Sequence, residues 1–462
     1  MPISDVHFSF PKIVSKLIVH YPSIGHSYTA TAQKTIQLKI SHDLPGTVAL
    51  KVITGIVRNF EAESEAMDLL DKIRKLSDQH SGKVVEFRRH IHANPELSYQ
   101  EFNTVKFVAD TLRSFGLSPT EGLATTGLIV DITGRNPEKK MIALRADMDA
   151  LPIVEANDVP YKSKNPGVMH ACGHDVHTSS LLGTARILNE VKDQFEGTIR
   201  LIFQPGEEKN PGGASYMIRD GALENPRPSG IIGQHVFPLL PTGKIGFKEG
   251  MYMASADEIY LKVIGKGGHG AAPDLAVDPI VIASHIIIAL QQIISRNANP
   301  RQPTVLTFGN ITGFGATNII PNEVNIAGTF RAMNEVWRES ALTKIKKMAE
   351  SIAEGMGGTC EVNISRGYPY LENNPELTRR IRSAAEAYVG KENVVDIDIT
   401  LGAEDFAYYS QVVPASFYRL GTRNDAKGLS SYVHTPTFDI DEDALKIAPG
   451  LMAWMAINEL TS

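Results

Sequence analysis

Cysteine is almost missing from this chain: Cys172 and Cys360 are the only two among 462 residues. Two thiols rule out a disulfide framework and fit a reducing compartment, so a cytoplasmic protein is expected. Long hydrophobic runs are also scarce. The longest, around Pro279–Ile294, carries Ser284, His285 and two glutamines. It is too short to span a bilayer and reads as a buried helix, so no membrane partner is expected. Excess positive charge is absent too, with 46 Lys and Arg against 52 Asp and Glu, net −6. That argues against a protein that tracks nucleic-acid phosphates, which needs a basic face. No secretory signal is recognisable at the start, where Asp5, His7 and Pro11 interrupt any apolar region.

What is present is length enough for two or three domains. Residues 1–66 differ from the rest. They alternate weakly at Thr35–Ile40 and Val48–Ile53 and show no helix of usable length before Glu61. Met67 then opens a helical pattern through Phe87 and is itself a plausible start. Residues 1–66 read either as an upstream extension or as a small strand-rich element. From Thr126 onward, short apolar runs alternate with helical ones: Gly127–Ile132, Met141–Ala146, Gly197–Gln204 and Gly230–Val236 as strands. Between them a helix follows Asp175 as its cap, and a shorter one lies near Gly213–Asp220.

The pattern changes between Asp257 and Arg366. Strand Asp257–Ile264, helix Val277–Asn297, strands Thr304–Ile311 and Glu323–Arg331, helix Val336–Met356 and strand Gly358–Ser365 give β-α-β-β-α-β, the ferredoxin-like order. Helix–strand alternation resumes from Pro375. The expected architecture is an α/β domain (67–254 and 367–462) interrupted by a ferredoxin-like α+β domain (255–366), with 1–66 left as an N-terminal extension.

Five places along the chain carry chemistry. His170-Ala-Cys-Gly-His-Asp-Val-His177 offers a thiolate and imidazoles at a loop–helix junction, suited to zinc or a similar transition metal, although a polar cap with a buried Cys has the same residues. Gln204-Pro-Gly-Glu-Glu208 follows an apolar strand, where ligands gather in open α/β sheets. Adjacent carboxylates repel there unless a cation neutralises them. One can then hold metal while its neighbour takes a proton from metal-activated water. His235 and His434 lie at a strand end and a turn, positions that a polar cap fills equally well. Asp147 and Asp149 sit at a strand tip, and Asp149 is expected to orient ligands. Cys172, His174, Glu208, His235 and His434 are too many donors for one catalytic zinc with an open position and suit two ions sharing a bridging ligand.

Seven segments then occur in order: Arg88-Arg-His-Ile-His-Ala-Asn-Pro-Glu-Leu-Ser, Leu144-Arg-Ala-Asp-Met-Asp-Ala-Leu-Pro, Met169-His-Ala-Cys-Gly-His-Asp, Phe203-Gln-Pro-Gly-Glu-Glu, Gly265-Lys-Gly-Gly-His-Gly-Ala-Ala-Pro, Asn318-Ile-Ile-Pro and His434-Thr-Pro. As a series they resemble the hippurate hydrolase and indole-acetyl-amino-acid hydrolase group of metallopeptidase family 20, over about residues 67–462. The resemblance implies a di-metal exopeptidase-like catalytic domain hydrolysing the amide bond of N-acyl-L-amino acids. It implies Cys172, His174, Glu208, His235 and His434 as ligands of two divalent ions (zinc or manganese, with cobalt or nickel possible) and Glu207 as general acid/base. It further implies a homodimer through the inserted domain, with His269 and Asn318 contacting substrate; Arg331 is a candidate for the substrate carboxylate. A dipeptidase or carboxypeptidase of the same fold, a non-catalytic metal-dependent binding protein and a cysteine hydrolase using Cys172 are the competing readings.

Overall fold

Strands buried on both faces lack alternation, and the central strands follow that rule. Every residue of Met141–Asp147 and of Thr198–Gln204 is buried. In this computed structural model, which describes residues 46–461 and the short strands Val6–Phe8 and Leu17–Val19, they lie at the heart of an eight-stranded sheet. Its order is Val394–Asp396, Ile245–Phe247, Ala415–Arg423, Ile231–Pro241, Met141–Asp147, Thr198–Gln204, Gly127–Thr133, Thr120–Leu123. The four strands from Ala415–Arg423 to Thr198–Gln204 run parallel, while Gly127–Thr133 and Thr120–Leu123 add antiparallel on one side. Helices His174–Val191 and Ala444–Thr461 pack on one another beside this sheet. Parallel strands leave their carboxyl ends at one edge, where loops can converge.

The second sheet shows the opposite pattern. Asp257–Ile264 alternates buried with more exposed residues, as a sheet covered on one face requires. Its order is Thr304–Thr312, Glu323–Ala332, Asp257–Ile264, Thr359–Arg366, all antiparallel. Helices Pro279–Gln292 and Glu335–Gly355 cover it, completing the ferredoxin-like order read from the sequence. Ile282, Ile286 and Leu290 from one helix meet Leu342 and Ile345 from the other over Ile259, Leu261 and Val263. Each of these fully buried aliphatic side chains contributes about 2 kcal/mol.

The chain divides into two compact units, Met1–Leu69 and Leu70–Ser462. The first contains the antiparallel pair Val6–Phe8 with Leu17–Val19. One helix runs Gly46–Ala93. That corrects two expectations: Val48–Ile53 is helical rather than extended, and the helix begins well before Glu61. A short apolar run fits either period, so spacing alone does not separate them. The Thr35–Ile40 alternation lies outside the described residues.

Three further expectations change. The Pro279–Ile294 segment is a helix that continues through Asn297, but only a third of it is buried. One face packs on the sheet, and the other leaves Ile280, Val281 and Ile288 in the open. By length and composition it is the single described helix that could cross a membrane. Asp175 does not cap the His174–Val191 helix. Gly173 stands at the cap with φ +84°, and a Cβ there would meet Val236 Cγ2 at 2.5 Å. Finally, His235 is inside its strand, which extends to Pro241.

Candidate active site

Asp175 does something else. Its Oδ2 accepts from Arg88 Nε at 2.7 Å and His92 Nδ1 at 2.8 Å, with all three side chains buried. Arg88 also reaches Asp439 at 2.7 Å. The Arg88-Arg-His-Ile-His segment therefore anchors the first turn of the helix that begins at His174. Burial works against the Asp175 anion, but Arg88 and His92 outweigh it and hold the carboxyl well below the ordinary aspartate range. A depressed carboxyl contributes stability above its unfolded pKa and loses it as pH falls through the folded one. Asp175→Asn is therefore expected to cost about 3 kcal/mol at neutral pH. In urea unfolding, that gap to the wild type should narrow below about pH 4; a gap independent of pH would contradict the assignment.

The loop before this helix and the carboxyl ends of the strands bring five predicted residues together. Cys172 Sγ lies 3.4 Å from His235 Nε2 and 3.3 Å from His434 Nε2. Glu208 Oε1 is 3.2 Å from His434 Nε2 and 3.9 Å from His174 Nε2. His434 comes from a distant loop and is held there by its backbone N–H on Ala171 O at 2.7 Å. Its φ of +61° is a conformation non-glycine residues adopt rarely, often at functional sites.

Hydrogen bonds set which imidazole nitrogens face this point. His235 Nδ1 donates to Val236 O at 2.7 Å, leaving Nε2 as the lone-pair nitrogen toward Cys172. His174 Nδ1 is bonded to Asp149 Oδ1 at 3.1 Å, and its buried Nε2 has no hydrogen-bond partner. Glu208 Oε1 is likewise buried without one. His177 is different. Nδ1 is bonded to Asp147 at 2.6 Å and Nε2 accepts Val236 N–H at 2.9 Å, so both nitrogens are engaged. It braces the strand rather than facing the centre.

Asp149 is buried and saturated. Besides His174 it accepts Ser98 Oγ at 2.6 Å and the N–H groups of Glu207 and Glu208 at 3.0 and 2.9 Å. The N–H of Gly206 donates to buried Glu101 at 2.8 Å. Gly206 has φ +64° and a Cβ there would strike the Tyr99 ring. Two carboxylates thus grip three consecutive N–H groups of the turn and fix where Glu207 and Glu208 point. The Tyr368 hydroxyl donates to the Glu207 carbonyl from the other side.

Glu207 itself is buried, and its Oε1 accepts Asp405 N–H at 3.3 Å. Burial, then the nearby carboxylates of Glu404, Glu208 and Asp405, hold its carboxyl well above the usual range. Burial, with Glu208 and Glu207 beside it, also pushes the Cys172 thiol well up. His174 resists burial and is pushed up to about 10, chiefly by Asp147 and Asp149. His235 is held well down by burial and by the Arg419 cation.

Sequence reasoning missed the acidic pair Glu404–Asp405 and its counter-ion. Arg145, fully buried, donates to Asp147 at 2.6 Å, Glu404 at 3.0 Å, Asp405 at 2.7 Å and Gln204 at 2.9 Å. The signal was available: Gly402-Ala-Glu-Asp-Phe is a second pair of adjacent acids in an otherwise sparsely charged stretch. His269 and Asn318 are exposed and close to one another: the His269 strand pairs with Ile319–Ile320, and Gly270 N–H donates to Asn318 O at 2.8 Å. Arg331 is half-buried on the smaller sheet, opposite Val305. No hydrogen bond or ion pair among the described residues joins these three to the Cys172 cluster.

The donor set fits cations. Cys172, His174 and His235 place one donor atom each within 4.8 Å of one another, and so do Cys172, Glu208 and His434. A thiol, three imidazoles that turn Nε2 toward it or toward Glu208, and a carboxylate oxygen are the mixture that binds zinc-like ions. Six buried or nearly buried carboxylates (Asp147, Asp149, Glu207, Glu208, Glu404, Asp405) gather here with Arg145 on three of them and His174 beside Asp147 and Asp149, an imbalance that further positive charge would relieve.

Against known proteins, residues 143–457 match the model of Peptidase family M20/M25/M40. The chain belongs to this family. An N-acyl-L-amino acid amidohydrolase of Geobacillus stearothermophilus is 41% identical over 66% of this chain and 82% of its own length. Thermostable carboxypeptidase 2 of Saccharolobus solfataricus is 40% identical over 85% of this chain and 99% of its own. Among solved structures, a dinuclear metal binding peptidase of the M20 family from Bacillus subtilis superposes with TM-score 0.72 at 34% identity, covering 83% of this chain and 99% of that one. The M20 chain described here is accordingly a metallohydrolase of amide bonds with the fold of that family.

Proposed function

We propose that this M20 hydrolase cleaves the amide bond of small N-acyl-L-amino acids. The observation that carries the reading is the pair of three-donor groups that share Cys172, set beside the buried carboxylate of Glu207, whose turn is held by Asp149 and Glu101. Cys172, His174, Glu208, His235 and His434 would hold two divalent ions; manganese and zinc, cobalt or nickel all suit these donors. When bound, the ions supply Lewis acidity and a water acidified toward neutral pH. Glu207 takes the proton of the attacking water and delivers it to the leaving amine. Asp149 orients His174 and the Glu207–Glu208 turn, and His269, Asn318 and Arg331 approach substrate from the smaller domain.

We place the domain limits at 67–254 with 367–462 and at 255–366, and assign the smaller domain a pairing role. Its strand Thr304–Thr312 is a sheet edge, and Ile280, Val281, Ile288, Ile311 and Phe314 are exposed around it. A second copy of the chain would cover this face as a homodimer. Light scattering should give twice the chain mass, and Ile288→Glu should shift the equilibrium to monomer; a monomeric wild type at micromolar concentration would refute the pairing.

Cys172→Ser is expected to lower bound metal per chain by at least half, because a hydroxyl is the harder and poorer donor. Unchanged stoichiometry by elemental analysis would remove Cys172 from the ligand set. A carboxypeptidase or dipeptidase reading is favoured by the Saccharolobus relative. Metal analysis combined with hydrolysis of acetyl-, benzoyl- and indole-acetyl-amino acids and simple dipeptides decides between them. Faster cleavage of the dipeptides would replace the acyl-amino-acid reading. The thiol-nucleophile alternative is tested by chelators: inhibition reversed by added metal would exclude it, and activity that survives complete metal removal would favour it.

A further inference from the structure

Five arginines among the described residues are more than nine-tenths buried. Four have carboxylate partners: Arg88 with Asp175 and Asp439, Arg145 with Asp147 and Asp405, Arg200 with Asp131, and Arg338 with Asp257. Arg419 is the exception. Its Nε donates to the Tyr252 hydroxyl at 2.5 Å and its Nη2 lies 3.3 Å from Met253 Sδ. The rings of Phe417, Phe237 and Tyr252 surround the guanidinium at 5.4, 5.5 and 5.5 Å. No carboxylate of the described residues lies within ion-pair distance.

Its position ties it to the active site. Arg419 is the register partner of His235 on the adjacent parallel strand, so both side chains leave the same face of the sheet. The Phe417 ring that flanks the guanidinium is 6.1 Å from the His235 ring. His235 Nε2 in turn faces Cys172.

Aromatic faces attract a guanidinium and strip it of water, but they carry no net charge. A phenol and a thioether leave most of its five-donor fork without an anion to match. Burying an unpaired charge is costly, and a substrate that brings the counter-ion removes that cost on binding. Arg331 is the less suitable cation, since it sits on the smaller sheet with Asp257 and Glu258 already close to it.

We infer that Arg419 is a specificity-determining residue that receives a carboxylate of the substrate, within the aromatic enclosure beside His235. This rests on the amide-hydrolase reading above. The carboxylate is either the α-carboxylate of the amino acid or an acidic end of the acyl group, and both present the same planar anion to the fork.

The test compares metal-loaded wild type, Arg419→Gln and Arg419→Lys on three substrates. These are an N-acetyl-amino acid, its carboxamide, and the N-succinyl derivative of that carboxamide. Arg419→Gln is expected to erase about a hundredfold of one preference in kcat/KM, mostly through KM, and Arg419→Lys to restore part of it. Loss of the preference for free acid over carboxamide assigns the α-carboxylate, and loss of the preference for succinyl over acetyl assigns the acyl end. If Arg419→Gln keeps both preferences while every rate declines alike, the residue is a strut and the inference is overturned. A crystal structure of the wild type with the free amino acid and with succinate needs no variant. A carboxylate oxygen within about 3 Å of the guanidinium supports the inference; one seated elsewhere, with Arg419 still facing Tyr252 and Met253, overturns it. A wild type that hydrolyses none of the amides would sink the proposed function, while the crystal experiment would still decide Arg419.

Discussion

A Glu207→Gln protein keeps its metal and loses about a hundredfold or more of its turnover. The amide cannot accept and return the proton, yet it matches the carboxylate in size. The turn that positions it is gripped through backbone N–H groups by Asp149 and Glu101, so the substitution leaves that grip untouched. Metal stoichiometry is therefore the control that separates loss of a base from loss of the site. Near-normal turnover in a fully loaded variant would take Glu207 out of the reaction. A variant that lost metal as well as rate would instead make Glu207 a ligand, crowding it into the role assigned to Glu208.

Arg145→Met destabilises the fold by about 3–5 kcal/mol, a large share of the stability of an ordinary domain. The guanidinium lies among Asp147, Glu404 and Asp405, all buried, and is bonded to each of the three. Burial and Glu404 already push Asp405 up to about 8 despite Arg145. Without the arginine these carboxyls would have to take up protons or water. Urea unfolding of the metal-free protein gives the loss directly, and a deficit below about 1 kcal/mol would mean that the cluster is neutralised by other means. Arg145→Met combined with Asp405→Asn should recover part of the deficit, since it removes one of the uncompensated anions. The two experiments are linked through Glu207. Its raised proton affinity comes from burial and this same group of acids, so a change at Arg145 also moves the group that carries the proposed proton transfer.

The smaller sheet was legible because its strands alternate and its helices keep a 3.6-residue period; every one of its six main elements falls within two residues of its expected place. The central parallel strands were legible as unbroken apolar runs. The candidate site was legible where unusual residues cluster, at Cys172–His174 and Glu207–Glu208. Other positions were not. Pro279–Ile294 looked buried because apolar content reports what a helix can cover, not whether a partner covers it. Asp175 looked like a cap because a cap and a buried ion-pair acceptor are the same side chain at the same helix end. Val48–Ile53 looked extended because six residues hold too little periodicity to exclude a helix.

By itself the sequence determined the kinds of donor available, the order of strands and helices, and the family series from Arg88 to His434. Those properties are local: they follow from side-chain chemistry and from spacing along the chain. The tertiary structure alone decided which histidines face the centre, for His174, His177 and His235 carry the same ring and are told apart by what its two nitrogens meet. It also decided that Arg145 is neutralised by carboxylates and Arg419 is not. Charge pairing and burial depend on neighbours brought from hundreds of residues away, and no local pattern encodes them.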